Sequence, residues 1–269
     1  MAIIKYLYCS NANFEDFASG RVLYGGKGIP NFPVRLLCEM YGRARSYLPR
    51  KDRLIIYDPC CGGGYSLTTL GLCFNPEIEA IYGSDIDEEM LAAAQRNTGL
   101  ISRAGLAKRK GELTALYRLY QKQSHADALE SCERFEQMVS REIPVNIFRA
   151  DCTQELPSIA PDIIITDVPY GNLVEWEGDS PVSIDAMAEQ LHRIAHEDTI
   201  LAICMDKSQK LSSDRWKRLE KNNVGKRKFE ILRRSRSPQE TPNAAFPPGV
   251  PIPHPSFRAM RGNGGAHEN

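Results

Sequence analysis

Leu54-Ile55-Ile56-Tyr57-Asp58-Pro59-Cys60-Cys61-Gly62-Gly63-Gly64-Tyr65 decides the fold: four apolar residues, stopped by an acid and a proline, then a turn of three glycines. Apolar runs this short, closed by Gly and Pro, read as buried parallel strands. The pattern returns about a hundred residues later as Ile163-Ile164-Ile165-Thr166-Asp167-Val168-Pro169-Tyr170-Gly171. Ligands of open α/β sheets gather outside the carboxyl ends of the strands, so both motifs mark the same edge.

Outward from this pair, strand and helix signals alternate. Strands are expected at 54–57, 80–84, 145–149, 162–166, 199–204 and near 228–233. Helices are expected from about Tyr65, at 88–98, at 183–196 and near 213–222. Upstream, Pro33 suits a helix start, and Val34, Leu37, Cys38, Tyr41 and Ala44 follow at helical spacing. This alternation specifies an α/β fold, a doubly wound Rossmann-like sheet. The stretch 103–142 interrupts it. Leu113, Leu116, Tyr117 and Tyr120, then Ala128, Cys132, Phe135 and Val139, fall at helical spacing and predict an inserted helical pair. Such an insertion either adds specificity or covers a sheet edge. The expected organisation is an N-terminal lid and helix over 1–50, the α/β domain over 51–236 and a tail over 237–269. The tail holds seven prolines and few large apolar residues, a composition expected to stay disordered.

Composition narrows the class. The chain has 269 residues, 42% of them hydrophobic, enough for a substantial core. Formal net charge is zero, so nucleic-acid affinity has to come from a local patch. One such patch is visible: residues 207–236 hold twelve Lys or Arg against Asp214, Glu220 and Glu230. Within it Lys226, Arg227 and Lys228 are candidate phosphate contacts. Eight cysteines without a CxxC pair, no signal-peptide pattern and no membrane-length apolar run predict a cytoplasmic protein with reduced thiols.

The strand-end acids suggest the ligand. The spacing around Gly62, Gly63 and Gly64 is neither that of dinucleotide enzymes nor that of a phosphate loop, which disfavours a pyrophosphate. Asp58 offers a carboxylate to a cationic amine, and Asp85, 27 residues further on, suits a ribose diol. Asp87 is the expected cap of the next helix. Asp151, at the end of the third strand, can accept from an adenine amino group. Together these acids predict S-adenosyl-L-methionine as cofactor, bound by Asp58, Cys60, Gly62, Gly64, Asp85 and Asp151. Cys60 and Cys61 serve as small residues for close packing, with no neighbouring base to activate a thiolate. No metal is expected. His192 and His196 have the spacing of a metal pair, but the surrounding residues complete no motif, and they are read as a solvated helix face.

The order Asp58-Pro59-Cys60-Cys61-Gly62, Ser84-Asp85-Ile86-Asp87, Asp167-Val168-Pro169-Tyr170-Gly171 resembles class I S-adenosylmethionine-dependent methyltransferases of the Asp/Asn-Pro-Pro-Tyr type. More narrowly, Ile29-Pro30-Asn31-Phe32-Pro33-Val34-Arg35-Leu36, Gly64-Tyr65-Ser66-Leu67-Thr68-Thr69-Leu70-Gly71-Leu72 and Ala104-Gly105-Leu106 are similar to the AviRa family. Those are avilamycin-resistance methyltransferases acting on a guanine of 23S ribosomal RNA. The resemblance covers about residues 20–233, and departs from the wider group at Val168, where proline is common. It implies that Asp167 bonds the target nitrogen, Pro169 stiffens the loop and Tyr170 stacks on the base. Trp176 is a candidate for lining the substrate mouth, with a core anchor as the alternative. The implied partner is 23S rRNA or the large ribosomal subunit. Rival readings are methylation of DNA adenine or protein glutamine, against which Asp167 in place of asparagine counts, and a catalytically silent RNA-binding module.

Overall fold

The computed structural model describes residues 4–25, 32–168 and 184–235. Strands β1 (Leu54–Asp58), β2 (Ile78–Asp85), β3 (Val145–Arg149), β4 (Ile163–Asp167), β5 (Ile200–Asp206), β6 (Trp216–Val224) and β7 (Arg227–Arg234) form one sheet ordered β3-β2-β1-β4-β5-β7-β6. β1 to β5 are parallel, while β7 runs antiparallel between β5 and β6. The chain winds outward from β1 to β3 and then returns to β4 on the other side of β1. The switch point therefore lies between β1 and β4, at the two motifs.

Both faces of the sheet are covered, which is why its central strands are apolar without alternation. Ile56, Ile163, Ile165 and Ala202 pack with Leu37, Met40 and Tyr41 of helix α1 (Val34–Ser46). Their neighbours Tyr57, Ile164, Leu201 and Ile203 face the opposite way and, with helices α2 (Tyr65–Cys73), α3 (Glu88–Thr98), α4 (Arg103–Tyr120) and α5 (Gln123–Met138) elsewhere, pack with Met187 and Leu191 of α6 (Ile184–Ile194). No helix among the described residues is long and apolar enough to cross a membrane.

The inserted pair is a helical hairpin, α4 and α5. Ala128, Cys132, Phe135 and Val139 are buried, as their spacing predicts, but on α4 the buried apolar positions are Leu106 and Leu113. Leu116 and Tyr120, expected on the packed face, are exposed. The N-terminal segment lies across the hairpin, with the Phe17 and Phe135 rings 4.8 Å apart and Arg134 paired to Asp16.

One expectation is overturned: where a helix is expected near 213–222, the chain forms strand β6 from Trp216 to Val224. The three-residue spacing of Trp216 and Leu219 imitates a helical turn, but the two pack on opposite faces of the sheet, and the register shifts between Arg218 and Glu220. A bulge of this kind adds one residue to the strand and breaks the period of two by which a strand is recognised. β6 is an edge strand, and its exposed Lys217, Arg218 and Lys221 discourage edge-to-edge pairing. Part of the basic run thus has a structural use. The expected tail over 237–269 lies outside the described residues.

Candidate active site

Four acids stand at the carboxyl ends of four adjacent parallel strands. In sheet order they are Asp151 just after β3, Asp85 ending β2, Asp58 ending β1 and Asp167 ending β4. The parallel winding brings residues from four separate sequence segments to one edge.

The glycine turn is shaped by two left-handed residues, Gly62 at φ 49° and Gly64 at φ 72°. At Gly64 a side chain is excluded twice over, because a Cβ would also meet the Ala94 backbone at 2.8 Å. At Gly62 a Cβ would meet nothing within 4 Å, so the backbone there borders open space. Asp85 ties the turn to β2: its Oδ2 accepts from the Gly62 amide at 2.8 Å and its Oδ1 from the Asp87 amide at 3.1 Å. Asp87 in turn caps α3 by accepting from the Glu89 and Met90 amides, as expected. Asn97 braces the far side, donating to the Gly63 carbonyl at 2.8 Å.

Asp58 is buried and accepts from the Cys60 amide at 3.1 Å. Burial raises its carboxyl pKa to about 7, the Cys60 amide and the nearby Thr166 oppose the rise, and Asp85 and Asp167 add to it. The Thr166 hydroxyl leans toward Asp58 without closing a full hydrogen bond. Cys60 packs its sulfur 3.7 Å from that of Cys152, and this contact together with burial keeps the thiol protonated. That agrees with a packing role and not a nucleophilic one. Asp151 uses Oδ1 to hold a turn, accepting from the Thr153 amide and hydroxyl at 2.9 and 2.6 Å.

Asp167 is fixed from one side. Its Oδ2 accepts from Arg227 Nη1 at 3.0 Å, while Oδ1 is buried and takes no hydrogen bond from the described residues beyond a weak pull from the Cys204 thiol. Burial raises this carboxyl and the Arg227 charge pulls it back, the balance remaining upward. Pro169, Tyr170 and Trp176 lie outside the described residues.

The basic candidates separate. Lys226 is exposed in the turn between β6 and β7. Arg227 points at Asp167, with its guanidinium 5.8 Å from the centre of the Phe32 ring, so it belongs to the acid row. Lys228 corrects the expectation of a phosphate contact: it is buried, donates to the Gln209 carbonyl and lies 3.8 Å from Glu230. Alternation along β7 explains the split, since neighbouring residues face opposite sides of a strand. His192 is likewise not solvated. It is buried edge-on to Trp216, and His196 pairs with Asp162 at 3.5 Å.

Sequence reasoning named Arg227 as a phosphate contact, whereas the structure pairs it with Asp167. It missed two further residues, Asn97 and Ile86, and Asn97 carries no local signal. Ile86 had one: it is an apolar residue between two strand-end acids, and it remains exposed in the folded chain.

The comparisons agree with this geometry. A family profile described as rRNA methyltransferase AviRa matches residues 4–227. A Streptomyces viridochromogenes protein named 23S rRNA (guanine(2535)-N(1))-methyltransferase is 33% identical over 229 residues, 81% of this chain and 91% of that protein. Two solved structures of AviRa from the same organism match with TM-scores of 0.74 and 0.76, at 31% and 30% identity, over 83% of this chain and 94% of theirs. On these matches, the chain belongs to the AviRa family of rRNA methyltransferases.

Proposed function

We propose that this enzyme uses S-adenosyl-L-methionine to methylate a guanine base of 23S rRNA at N1, working in the cytoplasm on free rRNA or on the large subunit. The residues present fit the cofactor. Asp58 is a buried carboxyl with no cation beside it among the described residues, Gly62 borders open space, and Asp85 and the exposed Ile86 offer a polar neighbour for a ribose and an apolar one for a flat ring. S-adenosylmethionine supplies, when bound, a methyl group activated on a sulfonium. Asp58 faces its cationic amine, Asp85 its ribose, and Cys60, Gly62, Gly64 and Asp151 the remainder.

The observation that carries the base assignment is the state of Asp167. Arg227 holds one carboxylate oxygen, and the other is buried without a full partner among the described residues. Guanine presents two adjacent donors, N1–H and N2–H, on its pairing edge, and a carboxylate accepts from both. Adenine presents a donor beside an acceptor, which an amide side chain matches better. At N1 the ring proton has to leave as the nitrogen lone pair turns toward the methyl carbon, and Asp167 accepts it. The family resemblance assigns Tyr170 the stacking face and Pro169 the stiffness of the loop, with Trp176 a candidate substrate contact.

The test is tritiated-methyl incorporation into 23S rRNA, read beside calorimetric cofactor titration. Asp167→Ala should lower methyl transfer by about two orders of magnitude while cofactor affinity stays within a few-fold. Arg227→Met should move the acid limb of the pH profile upward, because the charge that opposes Asp167 protonation is gone. Full activity of Asp167→Ala would refute the chemistry.

A further inference from the structure

Six large apolar side chains are exposed among the described residues, and half of them, Leu116, Leu119 and Tyr120, share the last turn of α4. Leu119 is 70% exposed and Tyr120 55%. Cations flank them: Arg118 is exposed, and the Lys122 ammonium lies 5.7 Å from the centre of the Tyr120 ring. No carboxylate occurs between Glu112 and Asp127, so the tip is positive on a chain that is neutral as a whole. An aromatic face set between cations fits a polyanion with unstacked bases.

The tip is also firmly built. Gln121 turns the chain in the left-handed region at φ 48°, its amide donating to the Tyr117 carbonyl at 2.8 Å and its side chain to the Arg118 carbonyl at 3.1 Å. α5 then starts at Gln123, with no acidic residue in its first turn.

Its position follows from packing. α2 and α3 run side by side, since Gly64 abuts Ala94 and Gly71 abuts Ile101. α4 begins just past Ile101 and runs back in the opposite sense. By Arg109 and Glu112 it has regained the level of the glycine turn: Arg109 donates to the Val22 carbonyl, Tyr24 bonds Glu112, and Tyr24 and Gly63 share Asn97. The eight residues from Glu112 to Tyr120 carry the helix about 12 Å further. The tip therefore stands beyond the glycine turn on the side of the strand carboxyl ends, where a substrate approaches.

We propose that the α4–α5 tip is an rRNA-docking arm, with Tyr120 and Leu119 as the platform for an unpaired base and Arg118 and Lys122 as contacts to flanking phosphates. The proposal rests on rRNA being the substrate, and it adds a second contact distant from the reacting base. Four proteins are compared: wild type, Tyr120→Phe, Tyr120→Ala and the double variant Arg118→Glu/Lys122→Glu. Each is measured for filter binding to 23S rRNA, for methyl transfer to naked rRNA and to large subunits, and for cofactor affinity and thermal melting as checks of folding.

Tyr120→Ala should weaken rRNA binding about tenfold, the scale of one lost stack. Tyr120→Phe should stay within about twofold. The double variant should weaken binding at least as much and flatten its salt dependence. Cofactor affinity and melting should not change. Undiminished rRNA binding in both Tyr120→Ala and the double variant, with wild type active, overturns the arm. Inactivity of wild type on every rRNA instead overturns the function on which it rests. Loss on large subunits with full activity on naked rRNA assigns the patch to a protein partner and overturns the RNA reading. A change of oligomeric state by light scattering would assign it to a second copy, with the same consequence.

Discussion

Asp58 concentrates the electrostatic problem of the site, being buried, close to Asp85 and Asp167, and without a cation beside it among the described residues. In the folded chain its carboxyl titrates near 7, against an ordinary 3.8, so the folded state holds the extra proton between those values. Stability is therefore greatest below about pH 4 as far as this group is concerned, and its contribution is lost as pH rises through about 7. Asp58→Asn should remove that slope from melting curves recorded against pH. The same group ties cofactor affinity to pH. As Asp58 ionises it becomes a better partner for a cationic amine, so wild-type affinity by calorimetry should rise toward pH 7 and above. In Asp58→Asn affinity should be lower and flat, and a pH-independent wild type would exclude Asp58 from the amine site.

At the scale of elements, the turn between β1 and α2 separates two uses of glycine. Gly64 is needed by the fold, because φ 72° and the Ala94 backbone both oppose a side chain. At Gly62 only the φ of 49° opposes a side chain, which would enter the open space proposed for the cofactor. Gly64→Ala should cost about 2 kcal/mol or more in chemical denaturation. Gly62→Ala should cost about 1 kcal/mol and reduce cofactor affinity. Equal losses of stability would show that neighbouring atoms at Gly64 simply give way. β6 shows the limit of pattern reading at this scale. Trp216 and Leu219, three apart in sequence, pack on opposite faces of the sheet, and only pairing with β7 reveals a strand.

Across the whole molecule, Arg43 of α1 joins segments far apart in the chain. It pairs with Glu39 at 2.7 Å and with Glu220 of β6, and donates to the Lys5 carbonyl at 2.7 Å. Glu39 accepts in turn from the amides of Leu7, Tyr8 and Cys9, and Tyr47 bonds Glu220. The N-terminal segment, the first helix and the sheet edge are thereby clamped by one buried guanidinium. Arg43→Met should destabilise the protein by about 3 kcal/mol, since it leaves the buried Glu39 and the half-buried Glu220 without their cation, with a lowered urea midpoint as the readout. A midpoint equal to wild type would mean that the network contributes no net stability.

The sequence by itself determined the elements whose burial is two-sided or whose punctuation is strong. Ile163-Ile164-Ile165, short and rich in β-branched residues, reads as a buried strand, and Gly62-Gly63-Gly64 after Asp58 reads as a tight turn, because local sterics and hydropathy govern both. It also brought Asp58, Asp85, Asp151 and Asp167 to one edge, since parallel winding leaves no other place for strand ends. Tertiary structure alone decided which cations serve them. Arg227 and Lys228 are neighbours of like charge, and strand pairing turns one toward Asp167 and the other into the interior beside Glu230. The same holds for α4, whose apolar face is readable but whose partner is not: the hairpin and the N-terminal segment bury Leu106 and Leu113 and leave Leu119 and Tyr120 in solvent. Charge and apolarity are local properties of a sequence, whereas what they meet depends on contacts between segments dozens of residues apart.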